Sequence, residues 1–355
     1  GGANSVWNNA TGLYLGAQNA TTNGGVGSLY ANNGGRVQIG NDAFDSGTTA
    51  ELVVGDTVAS NGTLTIRNGS YVEVGGNSFL GASSGTTGSA LVSGTNSRWV
   101  NSSILSLGLS GNGTLNIENS GYVSSNTVNM GGNAGSVGIA NVTGTNSQLV
   151  GSTFNVGLSG TGTLNVANGG MTIGGNVNIG VNAGSVGIAN VTGTNARLNG
   201  TNLLLGGQNS NTDGGSGALN IGTGGRVQIG NDIFDSGTNS ELIVGGGTLT
   251  LRNGATISND GSSYIGAGSS GGVATITGSG TSWNNATGLY VGAQSTSVTG
   301  YFGTLNVQAG GRIQVGDDSF DSGSGAEMVI GDTVSGRGVF AVRSGTVTNA
   351  GSSYI

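Results

Sequence analysis

The chain has 355 residues, 77 of them Gly, with no Pro, Cys or His, 9 basic residues that are all Arg, and 16 acidic ones for a formal charge of −7. These counts exclude Ser/His and Cys/His nucleophile pairs, Cys/His zinc sites, a disulfide framework and any chemistry that needs Lys. Only 7% of residues are charged and the balance is acidic, so neither nucleic acid nor an anionic membrane surface is an expected partner. Apolar runs reach about four residues against the roughly 20 of a membrane-spanning helix, so no span is expected. No basic segment leads into an apolar run at the start, so no signal peptide is expected in these residues.

In chain order, residues 1–80 form a long block. It opens with Trp7 in SVWNNATGLYLGAQ, continues through GGRVQIGNDAFDSG around Arg36, and reaches GDTV at Gly55 and GTLTI at Leu64. Residues 81–198 hold shorter two-coil repeats. A second long block spans about 199–265, where GGRVQIGNDIFDSG around Arg226 repeats the first motif at an offset of 190 residues. A third spans 277–355, a gapless copy of 1–79 at an offset of 276 that places Trp283 on Trp7.

A finer period runs inside these blocks, each unit closed by a marker glycine. The markers are Gly16, Gly55, Gly81, Gly108, Gly131, Gly157, Gly180, Gly206, Gly245, Gly266, Gly292 and Gly331; eight of the eleven gaps are 21–27 residues and three are 39. Such a period with only short apolar segments fits one coil of a β-solenoid, the 39-residue coils carrying two insertions. Before each marker stands an aliphatic residue, from Leu15 to Ile330, and ten of the twelve residues three before it are apolar. These two positions share a strand face, so the row points inward. Further rows come from Leu64, Leu115, Leu164, Leu219 and Leu305 in the GTL segments, and from segments after GG such as Arg36-Val37-Gln38-Ile39. The fold expected is all-β: a parallel β-helix of about three short strands per coil and roughly a dozen coils, continuous over 1–355 as one solenoid.

Composition follows from that fold. Interior coils pair on both sides, which disfavours Pro, while tight corners favour Gly. Stacked charges repel, whereas Asn, Ser and Thr rows hydrogen-bond along the axis.

The alternation of GTLNIxxGG with VTGTNSxW units (Val92-Ser93-Gly94-Thr95-Asn96-Ser97-Arg98-Trp99, Val142 to Leu149, Val191 to Leu198, Ile276 to Trp283) resembles the tandem repeats of bacterial autotransporter passengers and PEP-CTERM-associated surface proteins. Leu149 and Leu198 depart from the Trp of the unit. The resemblance implies a secreted, right-handed β-helix that serves as adhesin, matrix component or scaffold.

Three features are candidates for chemistry. The insertion GNDxFDSG occurs three times and brings Asp42 and Asp45, Asp232 and Asp235, and Asp318 and Asp321 into repeated positions, each copy followed by Glu51, Glu241 or Glu327. Carboxylates three residues apart with Asn and Ser oxygens suit a hard cation such as calcium, but Asp and Asn are equally ordinary turn residues. No cofactor other than calcium is expected. A glycosidase reading of Asp317-Asp318 is opposed by the threefold repetition of the loop and by the absence of His and Lys. Second, Arg36, Arg226 and Arg312 recur after GG, with Arg67, Arg252 and Arg343 after the GTL strand; they bind acidic glycans or phosphate, or pair with Glu51, Glu241, Glu327 and the loop aspartates. Third, the outward row two before each marker is apolar at both ends (Tyr14, Val53, Phe79; Leu204, Ile243, Tyr264, Tyr290, Val329) and polar between, so its ends are covered by Phe44, Phe234 and Phe320 or contact another molecule.

The function expected is non-enzymatic: an extracellular structural or adhesive repeat protein, a rod or fibre segment of a bacterial cell-surface or matrix protein. The alternative is a glycan-binding module using the long-block loops. Expected partners are further copies of itself, other surface or matrix components, or glycans.

Overall fold

The computed structural model describes residues 2, 5–16, 25–40, 50–209, 212–230, 240–267, 271–292, 302–316, 326–331 and 336–355. The chain divides into two compact units, Gly1–Ile173 and Gly174–Ile355. Each is a parallel β-solenoid, and no helix occurs among the described residues.

Three rows of strands build each unit. In the first unit, the row ending at the marker glycines contains Gly12–Leu15, Glu51–Val54, Asn77–Leu80 and Ile104–Leu107. The GTL row contains Val26–Ala31, Asn61–Arg67, Thr87–Ser93, Asn112–Glu118, Val137–Thr143 and Thr161–Ala167. The GG row contains Val6–Asn9, Arg36–Ile39, Tyr71–Val74 and Arg98–Asn101; it runs straight on into the marker row in the long strands Tyr122–Met130 and Gln148–Val156. Within a row the strands pair in parallel and in register, Gly113 standing between Gly88 and Gly138. In the second unit the GTL row continues the pattern as Val186–Thr192, Ser216–Gly222, Thr248–Arg252, Gly272–Thr277, Phe302–Gln308 and Arg337–Arg343. One insertion of its first 39-residue coil is a short antiparallel hairpin, Gly207–Asn209 with Thr212–Asp213.

The alternating burial follows from the two-residue period of a strand. In Asn112–Glu118, Gly113, Leu115 and Ile117 are buried while Thr114, Asn116 and Glu118 look outward. The marker ladder is interior: Leu15, Val54, Leu80, Leu107, Met130 and Val156 are buried in the first unit, and Ile179, Leu205, Val244, Ile265 and Val291 in the second, with Ile330 half-buried. The two exceptions in the companion row, Ser78 and Ser263, are fully buried yet bonded. Ser78 Oγ donates to Asn101 Oδ1 at 2.5 Å, and Ser263 Oγ to Asn285 Oδ1 at 2.6 Å.

Interior volume is balanced coil by coil. Where the middle of the GTL strand is Leu64, Leu115, Leu219, Leu249 or Leu305, the GG strand of that coil brings a β-branched residue: Val72, Val123, Val227, Ile257 or Ile313. Where the middle residue is Ala90, Ala140, Ala189 or Ala274, the partner is Trp99, Leu149, Leu198 or Trp283. All these side chains are buried to 2% exposure or less. A close-packed interior has no room for Leu and Trp together, and none to spare for Ala with Val. The alternation of GTLNI and VTGTNSxW units is therefore a packing rule. It also explains Leu149 and Leu198, which fill the Trp site without leaving an indole N–H unpartnered, as those of Trp99 and Trp283 are among the described residues.

Corners use two devices. Gly81 takes φ +67°, and a Cβ there would collide with the Asn112 carbonyl of the next coil. At the corner entering the GG strand, Asn68 and Gly69 both take left-handed conformations, φ 53° and 75°, for which Asn and Gly are the least strained residues. Outside, amide ladders tie the coils: Asn165 Nδ2 donates to Asn141 Oδ1, and Asn141 Nδ2 to Asn116 Oδ1, each at 2.8 Å.

Candidate functional site

The three acidic insertions fall at equivalent places in the coils. The described backbone before them ends at Gly40, Gly230 and Gly316, all with positive φ, and resumes at the buried Ala50, Ser240 and Ala326. Asp42, Asp45, Asp232, Asp235, Asp318 and Asp321 lie outside the described residues, as do Phe44, Phe234 and Phe320. Among the described residues, no group of three His, Cys, Asp or Glu side chains is placed to hold a metal.

The glutamates that follow the insertions are described, and their partners differ from those expected. Glu51 Oε1 accepts from the Tyr14 hydroxyl, and Glu327 Oε1 from the Tyr290 hydroxyl. The bond to Glu51, then burial, then the charges of Glu51 and Asp56 push the Tyr14 phenol up to about 12. In the middle block Leu204 replaces the tyrosine, and burial raises the Glu241 carboxyl above its ordinary value. For Arg36 the expected pairing with Glu51 is corrected by register, while the alternative partners, the loop aspartates, lie outside the described residues. Arg36 Nη2 meets Glu73 Oε2 at 2.8 Å, and Gln38 donates to the same oxygen at 3.3 Å. Glu73 stands beside Gln38 on the next strand of the stack, whereas Glu51 belongs to a different row.

Outside the GG row of the first unit, Arg36 lies over the Tyr71 ring and Arg98 over the Tyr122 ring, each 5.1 Å from the centroid. These four residues are successive register partners, so cation and ring alternate along the stack at strand spacing. A groove of 390 Å³ lined by Tyr30, Ala31, Asn32, Thr65 and Arg67 opens beside the GTL row.

The apolar ends of the outward marker row are more covered than their position implies. Val53, Leu204, Ile243 and Val329 are buried. In the second unit Leu204, Ile243 and Ala267 form a small cluster outside the solenoid interior, with Tyr264 packed on it. Tyr264 stacks in turn on Tyr290 with centroids 4.9 Å apart. Tyr14 remains exposed.

No family model and no curated protein matches this chain. Among solved structures, the crystal structure of the TibC-catalysed, hyper-glycosylated TibA 55–350 fragment aligns over 95% of this chain and 100% of that one, with 18% identity and a TM-score of 0.28. A likeness of that size gives no ground for transferring a function.

Proposed function

We propose that the chain is a non-enzymatic structural and adhesive segment of a bacterial cell-surface or matrix protein, related to autotransporter passengers. One observation carries the reading: successive coils repeat their surface in register, so the outer faces bear continuous ladders such as Asn116, Asn141 and Asn165. A repeated face suits contact that is distributed along a molecule. The organisation read from the repeats belongs to the proposal, a single solenoid with long blocks at about 1–80, 199–265 and 277–355. Electron microscopy of the secreted product tests it. Fibres, or rods coating the cell, support the structural role, and a compact cytoplasmic product refutes it.

Calcium binding by Asp42, Asp45, Asp232, Asp235, Asp318 and Asp321 is proposed from the threefold sequence pattern. Chelator should lower the melting temperature, and replacing Asp45, Asp235 and Asp321 together by Ala should abolish that response. A wild-type melt indifferent to chelator rejects calcium.

A further inference from the structure

The first outward residue of each GG strand stands directly over its counterpart in the next coil. In the first unit this column is chemically balanced at its start, where Arg36 has Tyr71 beneath it and Glu73 as its carboxylate. In the second unit the same column puts Arg197 against Arg226, Cα partners on adjacent parallel strands about 4.8 Å apart. Both are exposed, and neither guanidinium has an ion pair or hydrogen bond among the described residues. The position that supplies Glu73 to Arg36 is occupied here by Ser258, because Gln38 pairs with Glu73 and Gln228 with Ser258. The outward residues of the three strands are Arg197, Asn199, Arg226, Gln228, Thr256 and Ser258, and none is acidic.

Two like charges directly opposite each other on a sheet repel, and the chain as a whole is acidic, so this pair is a local reversal of sign. We propose that Arg197 and Arg226 form a site for an oxyanion of the carboxylate or sulfate type, as carried by an acidic polysaccharide. Two guanidinium groups on one face offer several N–H donors to such a group, and their forked geometry matches its paired oxygens. A single bound oxyanion converts the repulsion into two attractions. The inference rests on the adhesive reading only for the choice of a polymeric source; the oxyanion site stands on the geometry alone.

The test is calorimetric titration of the full chain at constant ionic strength, with sodium sulfate in one arm and an oligouronate in the other. Wild type should bind the oligouronate, and Arg197→Gln and Arg226→Gln should each weaken binding about tenfold. Ser258→Glu, which places a carboxylate where Glu73 stands for Arg36, should weaken it too, while Arg36→Gln should leave it unchanged. Circular dichroism of each variant separates loss of site from loss of fold. Equal binding by a folded Arg197→Gln/Arg226→Gln double variant, or no binding by wild type in either arm, overturns the site. Sulfate binding without oligouronate binding keeps the oxyanion site and overturns its polymeric source. Loss of cell adhesion in an assay where oligouronate still binds counts against the adhesive reading and leaves the site intact.

Discussion

Ile179 and Asn178 are neighbours in one strand, yet the first is fully buried and the second is part-exposed. A carboxylate at Ile179 enters an interior row with no cation to meet it, at a cost of several kcal/mol, whereas Asn178→Asp changes a surface rung. Ile179→Asp should therefore unfold the adjacent coils while Asn178→Asp leaves the melt nearly unchanged; equal melting temperatures would remove the assigned register. The Tyr14 phenol shows the residue scale through pH. Its proton is held up to about 12 in the folded chain against an ordinary 10.0. A proton bound more tightly by the folded state contributes stability that is complete below pH 10 and is lost as pH rises toward 12. Replacing Tyr14 by Phe should flatten that part of the alkaline stability profile, measured by urea unfolding at a series of pH values. An unchanged profile would show that the bond to Glu51 does not hold in solution.

At the scale of the coil, the pairing of Ala90 with Trp99 and of Leu115 with Val123 makes a quantitative prediction. Ala90→Leu overpacks its coil and should cost about 1–3 kcal/mol, and Trp99→Val leaves a cavity and should cost several kcal/mol. Together they recreate the Leu and Val combination of the neighbouring coil, so the double variant should be more stable than the sum of the two losses by about 0.5–3 kcal/mol. Additive losses in urea denaturation would show that the two positions do not share a volume. This rule is present in the sequence, since the GTL units are followed by a β-branched residue (Val123 after Leu115, Thr172 after Leu164, Ile257 after Leu249) and the Ala units by Trp or Leu. It is hard to see there because the partners lie on different strands, and only closure of the coil makes one residue's volume the other's constraint. The marker ladder is legible for the opposite reason: one position repeated in every coil needs no partner to be recognised. The two serines interrupting its companion row read as exceptions until Asn101 and Asn285 are seen to bond them.

Across the molecule, the same distinction separates what the repeats disclose from what they conceal. Solenoid architecture, coil length and the sites of insertion follow from periodicity, because a coil must return to the same place. Contacts between coils depend on register. Arg36 is drawn to Glu51 by the proximity of motif and insertion, yet its partner is Glu73, 37 residues on and one rung away. The Arg197 and Arg226 pair is equally invisible along the chain, its two strands being separated by four others in sequence. Electrostatics that look like a scattering of arginines become a balanced column in one unit and an open pair in the other.

All of these claims depend on the stacking register, and cysteine cross-linking measures it directly in a chain without native cysteine. Thr114 and Ile139 are Cα partners on adjacent GTL strands and both point outward. Their spacing of about 4.8 Å lies within the reach of a disulfide, while the diagonal from Thr114 to Asn141 is about 8 Å and beyond it. Under mild oxidation, the chain with Thr114→Cys and Ile139→Cys should close its disulfide, and the chain with Thr114→Cys and Asn141→Cys should remain reduced. Cross-linking of the diagonal pair in place of the direct one would contradict the register, and with it the coil stacking on which every site described above is built.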